Sequence, residues 1–240
     1  MYAIWAICRR DLRSVFASPL MWLVLATWIM LIDLVFSCNL YLLNGHDDAT
    51  PLFVSSLSSG IFFLILLAPA ITMNAFAQER VQGTLQLLLT VPIRDHQLVL
   101  GKFLAAFLSL GALVIASLVQ PISLYVVSTV PLPQLMAGYL GLLAVCALLA
   151  ALGVWISLLV ESPVSAYVIT FGVIALLCII GMLPHDGPLS VISEQAGLTP
   201  RSTPFFFGDI RLGNLAYFLG GAAICLVMAH GSLSARRLHG

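Results

Sequence analysis

Residues 79–94 of the chain read ERVQGTLQLLLTVPIR. This polar, charged segment separates two long apolar runs. Helix-forming residues cluster between Leu85 and Leu89, after Gly83 and before Pro92. The pattern favours a short helix on a membrane surface, and it equally suits a binding site for a soluble partner. An ordinary polar loop with a surface helix is the alternative that the spacing alone leaves open.

The composition is that of a polytopic membrane protein. Of the 240 residues, 61% are hydrophobic and only 8% are charged, whereas about a quarter of the residues are charged in a soluble domain. We therefore expect one all-α transmembrane domain over residues 1–240, with no room for a nucleotide-binding domain. The net charge of zero gives no bulk field that would attract nucleic acid.

An amphipathic helix is predicted at the N-terminus. Apolar residues recur at near-helical spacing from Tyr2 to Phe16, and three arginines stand between them. Such a helix lies in the membrane interface, and Ser18-Pro19 then turns the chain into the bilayer. The prediction is an interfacial elbow helix within residues 1–18.

Six apolar runs are long enough to cross a bilayer, which takes about 20 helical residues. Two connections between the runs are long, residues 79–94 and a longer outer loop over residues 184–213. The triplet Phe205-Phe206-Phe207 in that loop is expected at the outer membrane interface. We place the spans near Leu20–Leu43, Leu52–Phe76, Val99–Val127, Leu135–Val160, Val164–Leu183 and Asn214–Leu233.

The distribution of basic residues predicts that both termini are cytoplasmic. Basic residues are enriched in the inner segments of membrane proteins. With the N-terminus inside, the outer segments contain only Arg201 and Arg211. The inner segments contain Arg9, Arg10, Arg13, Arg80, Arg94, Lys102, Arg236 and Arg237.

A resemblance to a known family rests on the order Glu79-Arg80-x-x-Gly83-Thr84-Leu85-x-x-Leu88-Leu89-Thr90-x-Pro92-Ile93. It resembles the cytoplasmic segment after the second transmembrane helix of ABC-2 type transporter permeases, most closely the gliding-motility and nitrous-oxide-maturation types. The basic start Arg9–Pro19 and the sequence Leu100-Gly101-Lys102-Phe103 help to extend the likeness over nearly the whole chain. The resemblance implies six transmembrane helices in a type V exporter-like arrangement.

The resemblance also implies partners and residue roles. The chain would be the permease subunit of an ATP-driven exporter in a bacterial inner membrane, with a second permease protomer, a dimer of ATP-binding subunits and, in some systems, an auxiliary subunit. Residues 79–94 would couple to the ATP-binding subunit. Glu79 and Arg80 would supply charged contacts, and Gly83 and Thr84 the bend and helix start. Leu85, Leu88 and Leu89 would anchor the helix, which Pro92 would end.

Asp33 is the one acid well inside a predicted span. A carboxylate within a bilayer costs several kcal/mol unless it is paired, protonated or hydrated. It is therefore a possible intramembrane polar site, either a proton relay or a substrate contact. A position facing a polar groove or the partner protomer explains it as well. Pro69 and Gln120-Pro121 predict kinks in the second and third spans.

Catalytic, cofactor-binding and metal-binding motifs are not found. The sequence has no GxxxxGK[ST] phosphate loop, no HExxH and no GxSxG. We therefore expect no enzyme activity in this chain, with ATP and Mg²⁺ bound and ATP hydrolysed by a separate subunit. Two alternatives remain, a six-span intramembrane enzyme built around Asp33 and a non-transporting membrane scaffold.

Overall fold

A computed structural model describes residues 2–42, 50–83, 94–120, 131–183 and 190–239. Within these ranges the chain is helical and forms no β-strand. The helices, numbered in chain order, are α1 (Tyr2–Ala17), α2 (Pro19–Leu42), α3 (Thr50–Thr72), α4 (Ala77–Val81), α5 (Asp95–Ala116), α6 (Leu132–Leu159), α7 (Pro163–Gly181), α8 (Ser190–Ala196), α9 (Leu198–Phe206) and α10 (Leu212–His239).

Six candidate membrane spans confirm the number predicted from the sequence. Each is a helical stretch long and apolar enough to cross a bilayer. The second span includes both α3 and the short helix α4 beyond it. The spans are Pro19–Tyr41, Leu52–Val81, Asp95–Ala116, Leu132–Leu159, Pro163–Gly181 and Leu212–Ala235.

Helix α6 is the centre of the bundle. Of its most apolar stretch, 83% is buried, against 22% for α2 and 28% for both α7 and α10. It packs against α3, α5, α7, α9 and α10. Small residues, including the fully buried Ala150 and Ala151, allow this close contact. The outer helices instead expose large apolar side chains such as Trp22, Val168 and Val227, as a lipid-facing surface requires.

The helix ends form two faces. At the first, called here the basic face, α1, α4 and the start of α5 meet, and the rings of His96 and His230 lie 6.4 Å apart. At the second, called the opposite face, the Tyr139 hydroxyl donates to the Ser117 carbonyl (3.0 Å). The segments predicted to lie inside therefore meet at one end of the bundle.

The third span is interrupted before its predicted end. Helix α5 ends at Ala116, a turn follows at Ser117 and Leu118, and Val119 and Gln120 are helical again. The predicted end at Val127 lies outside the described residues. The break therefore precedes the Gln120-Pro121 pair, of which Pro121 lies outside the described residues. In the second span, α3 runs through Pro69 and ends three residues later at Thr72.

The predicted outer loop contains two short helices, α8 and α9. The expectation that Phe205-Phe206-Phe207 lies at the membrane interface is wrong for Phe205 and Phe206, because both are fully buried. Gly141 on α6 provides the space, since a Cβ at Gly141 would overlap the Phe205 side chain. Only Phe207 is exposed, with 62% of its surface accessible.

Candidate functional site

A break in the helix of the second span comes just before the 79–94 segment. Between α3 and α4 the chain forms a turn, so several backbone groups lose their helical partners. The buried hydroxyl of Ser157 on α6 accepts hydrogen bonds from the backbone N–H of Phe76 (3.0 Å) and Ala77 (3.1 Å). The same hydroxyl donates to the carbonyl of Met73 (3.0 Å). One side chain therefore fixes the break against the central helix.

One turn before Ser157, α6 packs closely against the end of α3 and so supports this break. Gly153 lies four residues before Ser157, on the same face of α6. A Cβ at Gly153 would overlap the side chain of Thr72, the last residue of α3. The Thr72 hydroxyl donates to the Ala68 carbonyl of its own helix (3.0 Å). The end of α3 is therefore held directly on the α6 backbone.

Arg80 ties α4 to the end of α6. Its two terminal nitrogens donate to the carbonyls of Leu158 and Val160, each at 2.9 Å. The last carbonyls of a helix have no intrahelical partner and carry the negative end of the helix dipole, so a guanidinium there is stabilising. Its observed contacts are thus within the chain, and the predicted contact with an ATP-binding subunit stays a prediction.

A ring of four charges joins α1, α4 and α5. Glu79 Oε1 lies 2.9 Å from both Lys102 Nζ and Arg10 Nη2. Asp11 completes the ring, with its carboxylate 3.2 Å from Lys102 Nζ and 2.8 Å from Arg10 Nη2. Two carboxylates thus alternate with two cations. We call these four residues the charge ring.

Lys102 is the buried member of the charge ring. Its side chain is 3% exposed, and an ammonium has three N–H donors. Besides Asp11 and Glu79, its Nζ contacts the Ala75 carbonyl at 2.5 Å and lies 4.8 Å from the centre of the Phe76 ring. Each donor therefore has an acceptor, and two of these contacts fall within the break between α3 and α4.

The charge ring alters the ionisation of its neighbours on α1. Burial lowers the pKa of Arg10, but the charges and hydrogen bonds of Asp11 and Glu79 outweigh it, so the net pKa is raised. Burial raises the pKa of the Cys8 thiol, and the negative charge of Asp11 adds to the effect. Arg10 therefore stays charged and Cys8 stays a neutral thiol at physiological pH.

Helix α1 is packed on the bundle as well as being amphipathic. A Cβ at Gly101 on α5 would lie 2.9 Å from the Ile7 Cβ, so the two helices approach closely. The indole N–H of Trp22 donates to the Phe16 carbonyl (3.0 Å) and fixes the turn from α1 into α2. The helix predicted within residues 1–18 is present as α1 and is attached to α5, and its exposed side includes Trp5. Its position in the membrane interface stays a prediction.

The family comparison matches residues 5–197 to a model described as ABC-2 family transporter protein. The chain belongs to the ABC-2 transporter family. The match covers most of this ABC-2 protein, including the charge ring, Ser157 and Arg80. No curated protein matches the sequence significantly.

The predicted coupling residues of the ABC-2 protein are only partly described. Glu79 and Arg80 lie on α4, and Gly83 adopts a φ of +70° directly after it, a conformation that favours glycine. The expected bend towards the following residues stays a prediction. Outside the described residues lie Thr84, Leu85, Leu88, Leu89 and Pro92.

Asp33 lies apart from the charge ring. It is half-buried on α2, and within the described ranges it has no hydrogen bond or ion pair. The nearby Asn39 donates to the Val35 carbonyl of the same helix (2.8 Å). The described residues likewise contain no group of three acidic, His or Cys side chains that could hold a metal ion.

Sequence reasoning missed the site contacts of four residues. Asp11 and Ser157 were given no role, and Arg10 and Lys102 served only in the orientation count and in the family resemblance. Lys102 did carry a signal, because it is the only lysine in the chain and it opens an otherwise apolar span. Ser157 carried none, since serine is common in membrane helices.

Proposed function

We propose that this chain is the membrane-spanning permease subunit of an ATP-driven ABC-2 type exporter. It would form the translocation path and couple to a separate ATP-binding subunit. The observation that carries the proposal is the attachment of α4 on three sides. Ser157 and Arg80 link it and the break before it to α6, and Glu79 links it through Lys102 and Arg10 to α5 and α1.

This geometry supports a lever-like coupling mechanism. Only Gln82 and Gly83 separate α4 from residues 84–93, so a partner that binds residues 84–93 pulls on α4. Because α4 contacts the ends of α5 and α6 through charged and hydrogen-bonded groups, a displacement of α4 passes to both spans. ATP-driven closure of the partner then re-orients the spans as rigid bodies. The energy source lies in the partner, which binds ATP and Mg²⁺.

The proposed assembly is a pair of permease protomers with a pair of ATP-binding subunits, with room for an auxiliary subunit. The membrane is the inner membrane of a bacterium, and both termini are cytoplasmic. The excess of basic residues on the predicted inner segments supports this orientation. The narrower likeness to gliding-motility and nitrous-oxide-maturation permeases rests on the sequence resemblance described above, chiefly that of residues 79–93, and is part of the same proposal.

The intramembrane-enzyme alternative is less well supported. It needs a second polar group facing Asp33, and among the described residues no side chain pairs with that carboxylate. The scaffold alternative shares the docking features. ATP-dependent movement of the spans distinguishes the two, because it is expected of a permease and not of a scaffold.

Affinity purification from native membranes tests the proposal. The tagged chain is isolated in mild detergent, its partners are identified by mass spectrometry, and ATPase activity is measured. We expect an ATP-binding subunit to copurify, and Gly83→Pro to reduce its recovery or its stimulated ATPase activity. Gly172→Ala is the matched control, because a Cβ there meets open space. Recovery of the chain alone, without ATPase activity, would contradict the proposal.

A further inference from the structure

Arg201 is held in place on the opposite face between α9 and α10. Its guanidinium carbon lies 5.0 Å from the centre of the Tyr217 ring, and its Nη1 is 3.5 Å from Asn214 Oδ1. Tyr217 is itself fixed, because its hydroxyl donates to the Ala196 carbonyl (2.8 Å). Asn214 is buried. The position of the guanidinium is therefore set by packing rather than by an ion pair.

The charge of Arg201 is not compensated within the described part of the chain. No carboxylate there lies within ion-pair distance of it, and its buried Nε donates to no acceptor. Three basic side chains are described as buried or half-buried. Of these, Lys102 has two carboxylates, Arg80 has two carbonyls, and Arg201 has only the long contact with Asn214.

An uncompensated, half-buried guanidinium is costly unless a ligand supplies the missing charge. Leaving buried donors unsatisfied is destabilising, and more so for charged groups. The planar fork of arginine matches the oxygen spacing of a phosphate and binds it through two parallel hydrogen bonds. Because Nε is buried, such a ligand would meet the terminal Nη donors of Arg201, of which only Nη1 has a contact among the described residues, the long one with Asn214.

The surroundings place this guanidinium at the edge of a bilayer. Asn214 lies in the first turn of the last span, which begins at Leu212. Phe207, Ile210 and Leu212, in the preceding linker and at its junction with α10, expose apolar side chains. A cation beside exposed apolar groups at the end of a span suits the level of phosphate headgroups, where basic side chains find anionic oxygens.

We propose that Arg201, positioned by Tyr217 and Asn214, binds a phosphate group at the opposite face. The group is the phosphodiester of a membrane lipid or a free phosphate anion. This inference needs only the membrane-embedded fold. It is independent of coupling to an ATP-binding subunit, so either proposal can fail alone.

Two binding measurements on the purified chain in dodecyl maltoside test the site. Native mass spectrometry measures retention of added phosphatidylglycerol, with diacylglycerol, which lacks the phosphate, as the comparison lipid. Thermal unfolding measures protection by inorganic phosphate. We expect Arg201→Gln to weaken the binding of phosphatidylglycerol, of inorganic phosphate or of both by about tenfold, because a charge-assisted hydrogen bond is lost. Arg201→Lys should weaken this binding less.

Arg211→Gln is the matched control. Arg211 lies on the same face, but it is exposed and already paired with Asp209 at 2.7 Å, so its loss should leave both measurements unchanged. An Arg201-dependent signal with phosphatidylglycerol alone identifies a lipid headgroup, and one with inorganic phosphate alone identifies a soluble anion. Dependence in both identifies a general phosphate site.

A variant that keeps Arg201 guards against a folding defect. Asn214→Ala removes the one acceptor that orients the guanidinium, and it should weaken the same signal. The proposal is overturned if wild-type protein binds neither probe. It is equally overturned if folded Arg201→Gln, Arg201→Lys and Asn214→Ala all bind both probes as the wild type does.

Discussion

Glu79 Oε1 lies 2.9 Å from the ammonium of Lys102, and this contact joins the short helix α4 to the start of the third span. Arg10 and Asp11 extend it to the N-terminal helix. The proposed coupling segment of this ABC-2 protein is thus connected to three parts of the bundle before it meets any partner.

Removing one partner of the buried pair should be strongly destabilising. Lys102→Met leaves two carboxylates without their buried cation, and we expect the free energy of unfolding to fall by about 3 kcal/mol. Glu79→Gln should cost less when added to Lys102→Met than in the wild type, because the two side chains share one interaction. The free energies of unfolding of the wild type, the two single variants and the double variant, measured in mixed micelles, give this coupling. Strict additivity of the two substitutions would show that the pair contributes no coupling energy.

Loss of the Ser157 hydroxyl should loosen the break between α3 and α4. Ser157→Ala leaves two backbone N–H groups without that acceptor, at a cost of about 1–3 kcal/mol per buried group. Ser109→Ala is the control, because Ser109 is equally buried but bonds only to the Ala105 carbonyl of its own helix. Hydrogen exchange of residues 73–77 should rise in the first variant and not in the second. Equal exchange in both would contradict the role of Ser157.

A methyl group at Gly153 should force α3 and α6 apart. Gly153→Ala places a Cβ on the Thr72 side chain, and overpacking of this kind costs about 1–3 kcal/mol. Gly111→Ala is the comparison, because Gly111 is buried in α5 with no atom within 4 Å of the added Cβ. It should be neutral or slightly stabilising, since alanine is the better helix former. Thermal unfolding measures the stability of the two variants. A similar loss of stability in both would show that the close approach of α3 and α6 at Gly153 is not the cause.

Lys102 should react slowly with an amine-directed reagent. It is the only lysine, so modification by an N-hydroxysuccinimide ester at this position is read directly by mass spectrometry. Burial and three hydrogen-bond acceptors shield the amine. Glu79→Gln and Asp11→Asn should each raise the rate of Lys102 modification. Glu161→Gln, which changes a residue at an exposed turn on the basic face, should leave that rate unchanged. Rapid labelling of the wild type would contradict the buried position.

The sequence predicted the parts of this fold that depend on local composition. Six spans follow from runs of about 20 apolar residues, and α1 follows from its amphipathic spacing. The burial of Phe205 was not predictable, because it depends on the absence of a side chain at Gly141, on another helix. The turn at Ser117 and Leu118 was hidden because the apolar run continues past Ala116.

The candidate site divides in the same way. Glu79, Arg80 and Gly83 were identified because they stand together in a polar segment between apolar runs. Their partners were not, because Glu79 meets Arg10 across 69 positions of sequence and Phe76 meets Ser157 across 81. Such contacts arise from the packing order of the helices, which a single sequence does not reveal.

In the proposed mechanism, a nucleotide-driven partner moves α4 relative to α5 and α6. The most direct measurement is the rate of Lys102 modification in the complex with its ATP-binding subunit, without nucleotide and with ATP plus vanadate. We predict that the rate changes between the two states, and that Gly83→Pro abolishes the change while Gly172→Ala keeps it. Identical Lys102 rates in both states of an ATPase-active wild-type complex would contradict the account.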